Sequence, residues 1–166
     1  MKFNKSDIVR GARVGLPRDR YTVRVLAAKK DQSKKGFEMT VADMEIVSPE
    51  FILAPDGSKT MIAGTKVKTW FLHQPTEDWG QARVMEFCEK VGLSDEAQED
   101  TDVFRDELVG KTVSWILSSE EQFKRYGRND PDPERAGKEI LDDEGNRISN
   151  GFQPRADVAD AIAAAA

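Results

Sequence analysis

Apolar and polar residues alternate with period two in several stretches of the chain, and this alternation predicts strands. Tyr21, Val23, Val25 and Ala27 alternate with Arg20, Thr22, Arg24 and Leu26 after a Gly15-Leu16-Pro17 entry. The alternation restarts at Phe37-Glu38-Met39-Thr40-Val41, slips in phase near Ala42-Asp43 and resumes with Met44 and Ile46, so a bulge is expected at the slip. A polar, Gly-terminated stretch over 29–36 joins the two runs. They therefore read as an antiparallel hairpin whose tip carries Lys29, Lys30, Lys34 and Lys35. Ser48-Pro49 interrupts the chain, Ala54-Pro55-Asp56-Gly57 is a turn signal, and a third strand follows over 65–71. Its faces differ: Lys66, Lys68 and Trp70 share one side, Val67, Thr69 and Phe71 the other. Either Trp70 faces solvent beside the lysines, or it turns inward at a bulge.

The period then changes. Ala82, Val84, Met85, Cys88 and Val91 form an apolar stripe at helical spacing, with Phe87 beside it, Asp78 as the expected cap and Gly92 as the stop. The acidic stretch over 95–107 reads as a solvated loop with a short helix. Leu108 to Leu117 is the fourth strand, and a weaker run at Phe152 or over 138–141 offers it a partner. Between them, residues 120–137 are polar, Pro-containing and highly charged, which predicts a long flexible loop. The tail over 153–166 ends in alanines, with a helical tendency too short to persist alone. Short strands, one helix between the third and fourth, and a long loop between the fourth and fifth predict a mainly β fold. The expected form is an OB-fold-like five-stranded Greek-key barrel spanning residues 1–152.

Composition narrows the chemistry. A charged fraction of 33 % and a mean hydropathy of −0.59 leave no apolar run long enough to span a bilayer. Met1 to Asp7 is followed by no continuous apolar segment, so no secretory signal and a cytoplasmic location are expected. Cys88 is the single cysteine and His73 the single histidine, which excludes a disulfide within the chain and a thiolate zinc site. A Cys88–His73 catalytic pair is disfavoured because Cys88 belongs to the apolar stripe of the helix. No phosphate-cradling glycine loop, metalloprotease motif or nucleophile elbow is present, and no cofactor, metal or enzymatic activity is expected.

Charge adds a direction. Residues 1–38 carry eleven Lys and Arg against four Asp and Glu, in a chain whose formal net charge is −5. A basic surface on an acidic protein points to a polyanionic partner. Phosphates are assigned to Arg18, Arg20, Arg24, Lys34, Lys35, Lys66, Lys68, Lys124 and Arg125, and base stacking to Trp70, Tyr126 and Phe37. Tyr21 and Trp115 have apolar neighbours on their own faces and are assigned to the core.

The run from Gly15 to Val25, the segments Ser33 to Met39 and Met44 to Val47, and the later Phe87-Cys88-Glu89-Lys90-Val91-Gly92-Leu93 and Leu108-Val109-Gly110-Lys111-Thr112-Val113 resemble bacteriophage single-stranded DNA-binding proteins. The resemblance implies an OB-fold that coats single-stranded DNA, without strong sequence preference, in phage replication or recombination. Replication or recombination proteins would be its partners, and it would work in the host cytoplasm without a membrane. Many such proteins finish in an acidic tail; here only Asp157 and Asp160 precede the alanines, so recruitment through a tail is not expected. The competing reading is an OB-like protein-interaction module that docks its basic edge on an acidic host or phage partner.

Overall fold

The computed structural model describes residues 15–54 and 56–164. Its strands follow the alternation. β1 (Asp19–Gln32) turns Tyr21, Val23 and Val25 inward, β2 (Glu38–Ser48) turns Ala42, Met44 and Ile46 inward, and the two pair antiparallel. The phase slip expected near Ala42-Asp43 does not occur in β2. Thr40 continues the inward row of Ala42 and Met44, and Phe37 and Met39 are only half-buried. A polar residue is tolerated there because its hydroxyl is bonded to both His73 (2.7 Å) and Arg105 (3.1 Å). The register of the pair shifts elsewhere, between Val25 and Ala27, which leaves Leu26 of β1 without an opposite residue, and between Thr22 and Val23, which leaves Val47 of β2 without one.

Ser48-Pro49 leads into a short separate hairpin, β3 (Phe51–Leu53) with β4 (Lys59–Met61), which closes across the turn that includes Asp56 and Gly57. β5 (Lys66–Leu72) then pairs with the other edge of β2. α1 (Gln81–Val91) buries Val84, Phe87, Cys88 and Val91 and ends at Gly92, whose φ of 79° is the left-handed stop expected of it. Its N-cap is Gly80, with no side-chain cap, in place of the expected Asp78.

The acidic stretch forms two helices. Ser94 caps α2 (Asp95–Glu99), and the Asp100 carboxylate accepts from Asp102 and Val103 to cap α3 (Thr101–Leu108). Phe104 and Leu108, one turn apart, are fully buried and anchor α3 against the sheet. Acidic side chains occupy the solvent side of a helix whose other side carries core residues. Phe71 sits edge-on to Phe87 (4.9 Å) and Phe104 (5.1 Å), and Phe87 lies 5.6 Å from Trp115.

β6 (Thr112–Phe123) turns Val113, Trp115 and Leu117 into this core and pairs with both β1 and β7 (Ser149–Ala163). Most of the expected tail is thus a strand, its last two residues lying outside the described ones. Residues 153–163 belong to β7, whose Ala156 and Ala161 are buried, and cross-strand pairing overrides the weak helical preference of alanines. The segment expected as a loop over 120–137 also carries backbone pairing. Its first residues are in β6, and beyond them Tyr126 donates to Lys138 and Ile140 donates to Lys124, each at 2.9 Å.

The protein is mainly β, and its principal sheet has five antiparallel strands in the order β5-β2-β1-β6-β7. The first and last strands approach each other: Thr69 of β5 donates its hydroxyl to the Ala156 carbonyl of β7 at 3.1 Å. No ladder joins them among the described residues. β7 is poorly suited to one, since Pro154 has no amide hydrogen and the register against β6 shifts between Ala156 and Ala161. Among the described residues no helix is long and apolar enough to cross a membrane.

Candidate nucleic-acid interface

The incomplete seam between β5 and β7 opens outward as a cleft of about 480 Å³. Alternation in β5 buries Val67, Thr69 and Phe71, which obliges Lys66, Lys68 and Trp70 to face solvent. Trp70 is 50 % exposed, so of the two orientations open to it the solvent-facing one is realised. In β7, Pro154 and Ala156 are buried and Arg155 between them points out. The third wall comes from the turn before α1. Gln81 donates to the Gln74 carbonyl (2.9 Å) and Gly80 to that of Glu77 (3.1 Å), and this tight closure presents Trp79, 47 % exposed. Glycine is required in that turn: a Cβ at position 80 would stand 2.4 Å from the Gln74 carbonyl oxygen. Arg83 projects from the first turn of α1 into the same cleft.

Two exposed indoles and three cations therefore share one concavity, together with the carboxylates of Glu120 and Asp157. Lys68 lies 3.4 Å from Asp43 on the adjacent strand, and Arg155 lies 2.7 Å from Glu120. Arg83 has no ion-pair partner among the described residues. A cleft of mixed polar and apolar lining that offers flat aromatic faces and a few cations suits a planar group joined to an anion.

The residues assigned from the sequence are distributed unevenly around this cleft. Lys68 and Trp70 line it. Arg18 lines a smaller adjoining depression of about 190 Å³, which shares Arg155 and Asp157 with the larger one. Lys66 stands one step along β5, paired with Glu45 at 3.4 Å, and Arg24 is exposed on β1 opposite that same glutamate. Arg20 reaches the carbonyls of Ser114 (3.2 Å) and Asp160 (3.3 Å). Lys34 and Lys35 are exposed at the β1–β2 turn, beside a half-buried Phe37. Lys124, Arg125 and Tyr126 lie on the distal β6–β7 hairpin and do not line the cleft. There Arg125 pairs with Glu139 at 3.1 Å, and the Arg135 guanidinium covers the Tyr126 ring at 5.1 Å. Tyr21 and Trp115 are core residues, at 3 % and 0 % exposure.

Trp79, Arg83 and Arg155 are the cleft residues that sequence reasoning overlooked. Trp79 and Arg83, four residues apart at a helix start and both off its apolar stripe, were a legible signal. Arg155 was not, because nothing local marked its segment as a strand.

Cys88 and His73 stand apart from this site. Burial pushes the Cys88 thiol up to about 12, and Glu107 adds to the effect. The ring nitrogens of His73 meet Thr40 Oγ1 (2.7 Å) and Gln81 Oε1 (2.8 Å). The amide nitrogen of Gln81 donates to the Gln98 carbonyl, so its oxygen accepts from Nδ1–H, and Nε2 accepts from the Thr40 hydroxyl. This arrangement needs a neutral ring, and burial holds its pKa below the usual histidine value. Among the described residues no cluster of three or more His, Cys, Asp or Glu side chains could hold a metal ion. The chain matches no family model, and no curated protein matches it.

Proposed function

We propose that this protein binds single-stranded DNA, without strong sequence preference, through the cleft between β5 and β7. The observation that carries the reading is the pairing of Trp70 and Trp79, both about half exposed, around one cleft that also holds Lys68, Arg83 and Arg155. Exposed indoles gathered in one concavity mark a candidate ligand site, where singly scattered ones would not. Unpaired bases cover them at a gain on the order of 1–3 kcal/mol each, while cations hold the phosphates between. Stacking accepts every base, which is why the binding would be sequence-tolerant.

The five long strands, with α1 to α3 between β5 and β6 and the approach of β5 to β7, support reading the sheet as an OB-fold-like barrel sealed at one seam by side chains. The likeness of several segments to phage single-stranded DNA-binding proteins supports a role in coating single strands during phage replication or recombination, in a cytoplasm.

Intrinsic tryptophan fluorescence tests the reading. Titration with oligo-dT should quench the exposed indoles, and duplex DNA of equal length should not at the same concentration. An unchanged spectrum with oligo-dT would refute the proposal. RNA in a parallel titration reports the preference between the two nucleic acids.

A further inference from the structure

The cations that β5 and β7 contribute to the cleft are each held by a carboxylate from the neighbouring strand. Lys68 lies 3.4 Å from Asp43 of β2, and Arg155 lies 2.7 Å from Glu120 of β6. Both pairs are on the surface, with Lys68 and Arg155 side chains 48 % and 72 % exposed, where water screens an ion pair and leaves it little to contribute to stability. Their consequence falls on an incoming polyanion. A phosphate reaches Lys68 or Arg155 only by displacing a carboxylate, so a ligand that offers charge alone exchanges one anion for another. A ligand that also lays bases on Trp70 and Trp79 gains stacking that no carboxylate supplies.

Resting on the single-strand reading above, we infer that Asp43 and Glu120 are specificity-determining residues: by masking Lys68 and Arg155 they reject duplex DNA, whose bases are already stacked and paired. Arg83, with no acid in ion-pair range among the described residues, remains open for the first phosphate contact. The register builds in the masking, because Asp43 is the direct cross-strand neighbour of Lys68.

Asp43→Asn and Glu120→Gln, singly and together, test the inference. Both changes preserve side-chain size at surface positions, and thermal melting checks folding. Binding of oligo-dT and of duplex DNA of the same length is measured between about 50 and 200 mM salt. In the double variant, duplex affinity should rise by up to about eightfold at 0.1 M salt for each unmasked cation, and its salt slope should steepen by about 0.9 per cation. Single strands already displace the carboxylates in the wild type. Their affinity should therefore rise by only about fivefold per pair broken, with an unchanged salt slope. Asp43 also lies 4.0 Å from Lys29, whereas among the described residues Glu120 holds Arg155 alone, so Glu120→Gln by itself should steepen the duplex slope by about 0.9 and the test stands even if the double variant melts early. Duplex affinity and slope that stay at wild-type values overturn the inference, as does a single-strand slope that steepens in step with the duplex one. Wild-type protein that fails to hold oligo-dT would instead overturn the single-strand reading itself, and this inference with it.

Discussion

Replacing Trp79 by alanine isolates the indole that the turn before α1 presents to the cleft. The side chain is 47 % exposed and lies outside the buried core, so its loss should cost stability no more than about 0.5 kcal/mol. Its effect on binding is larger. One stacked base is worth on the order of 1–3 kcal/mol, which converts to a dissociation constant weaker by about 5- to 160-fold. Charge is untouched by the change, so the salt dependence should not move. With three cations in the cleft, log K for a single strand should fall with log salt at a slope of about −2 in both proteins. Anisotropy of a labelled oligo-dT at several salt concentrations reads both quantities together, and circular dichroism confirms that melting is unaltered. A loss of less than twofold in a normally folded variant would refute the stacking argument. A parallel loss of salt slope would show that Trp79 had been acting on the cations instead.

Three further outcomes follow from the packing. Gly80→Ala forces a Cβ to within 2.4 Å of the Gln74 carbonyl oxygen, so the turn must open. We expect a stability loss on the order of 1–3 kcal/mol in urea denaturation, with oligo-dT affinity falling toward that of the Trp79 variant. Phe104→Ala removes a fully buried ring that joins α3 to Phe71, and should cost about 3–5 kcal/mol in the same assay. The folded pKa of His73 is lowered by burial, although Gln81 and Glu38 oppose the shift, so on acidification the unfolded chain takes up the proton first. Stability should therefore fall as pH drops below about 6.5 and level off below the folded value. Urea midpoints at steps between pH 7.5 and 5 measure this decline, and His73→Asn should flatten it. Undiminished pH dependence in that variant would place its origin elsewhere.

Local pattern determined much of this molecule. Alternation at Tyr21, Val23 and Val25 and at Val67, Thr69 and Phe71 specifies which faces enter the core, because a strand side chain has only two directions available. The stripe through Val84, Cys88 and Val91, stopped at Gly92, specifies α1 for the equivalent reason at helical period. The outward placement of Lys68 and Trp70, which line the cleft, was legible on the same ground: their inward neighbours force them out.

Only the tertiary structure decided the rest. Thr40 faces inward because distant His73 and Arg105 bond its hydroxyl, a pairing that no window around residue 40 contains. Residues 153–163 are a strand because β6 supplies the hydrogen-bonding partner, against an alanine-rich local preference. The cleft itself joins positions 68–70, 79–83 and 155, and its existence depends on β5 and β7 meeting without a ladder. Burial of one face is a property of neighbours in sequence, whereas a concavity between two strand edges depends on how the whole sheet curves.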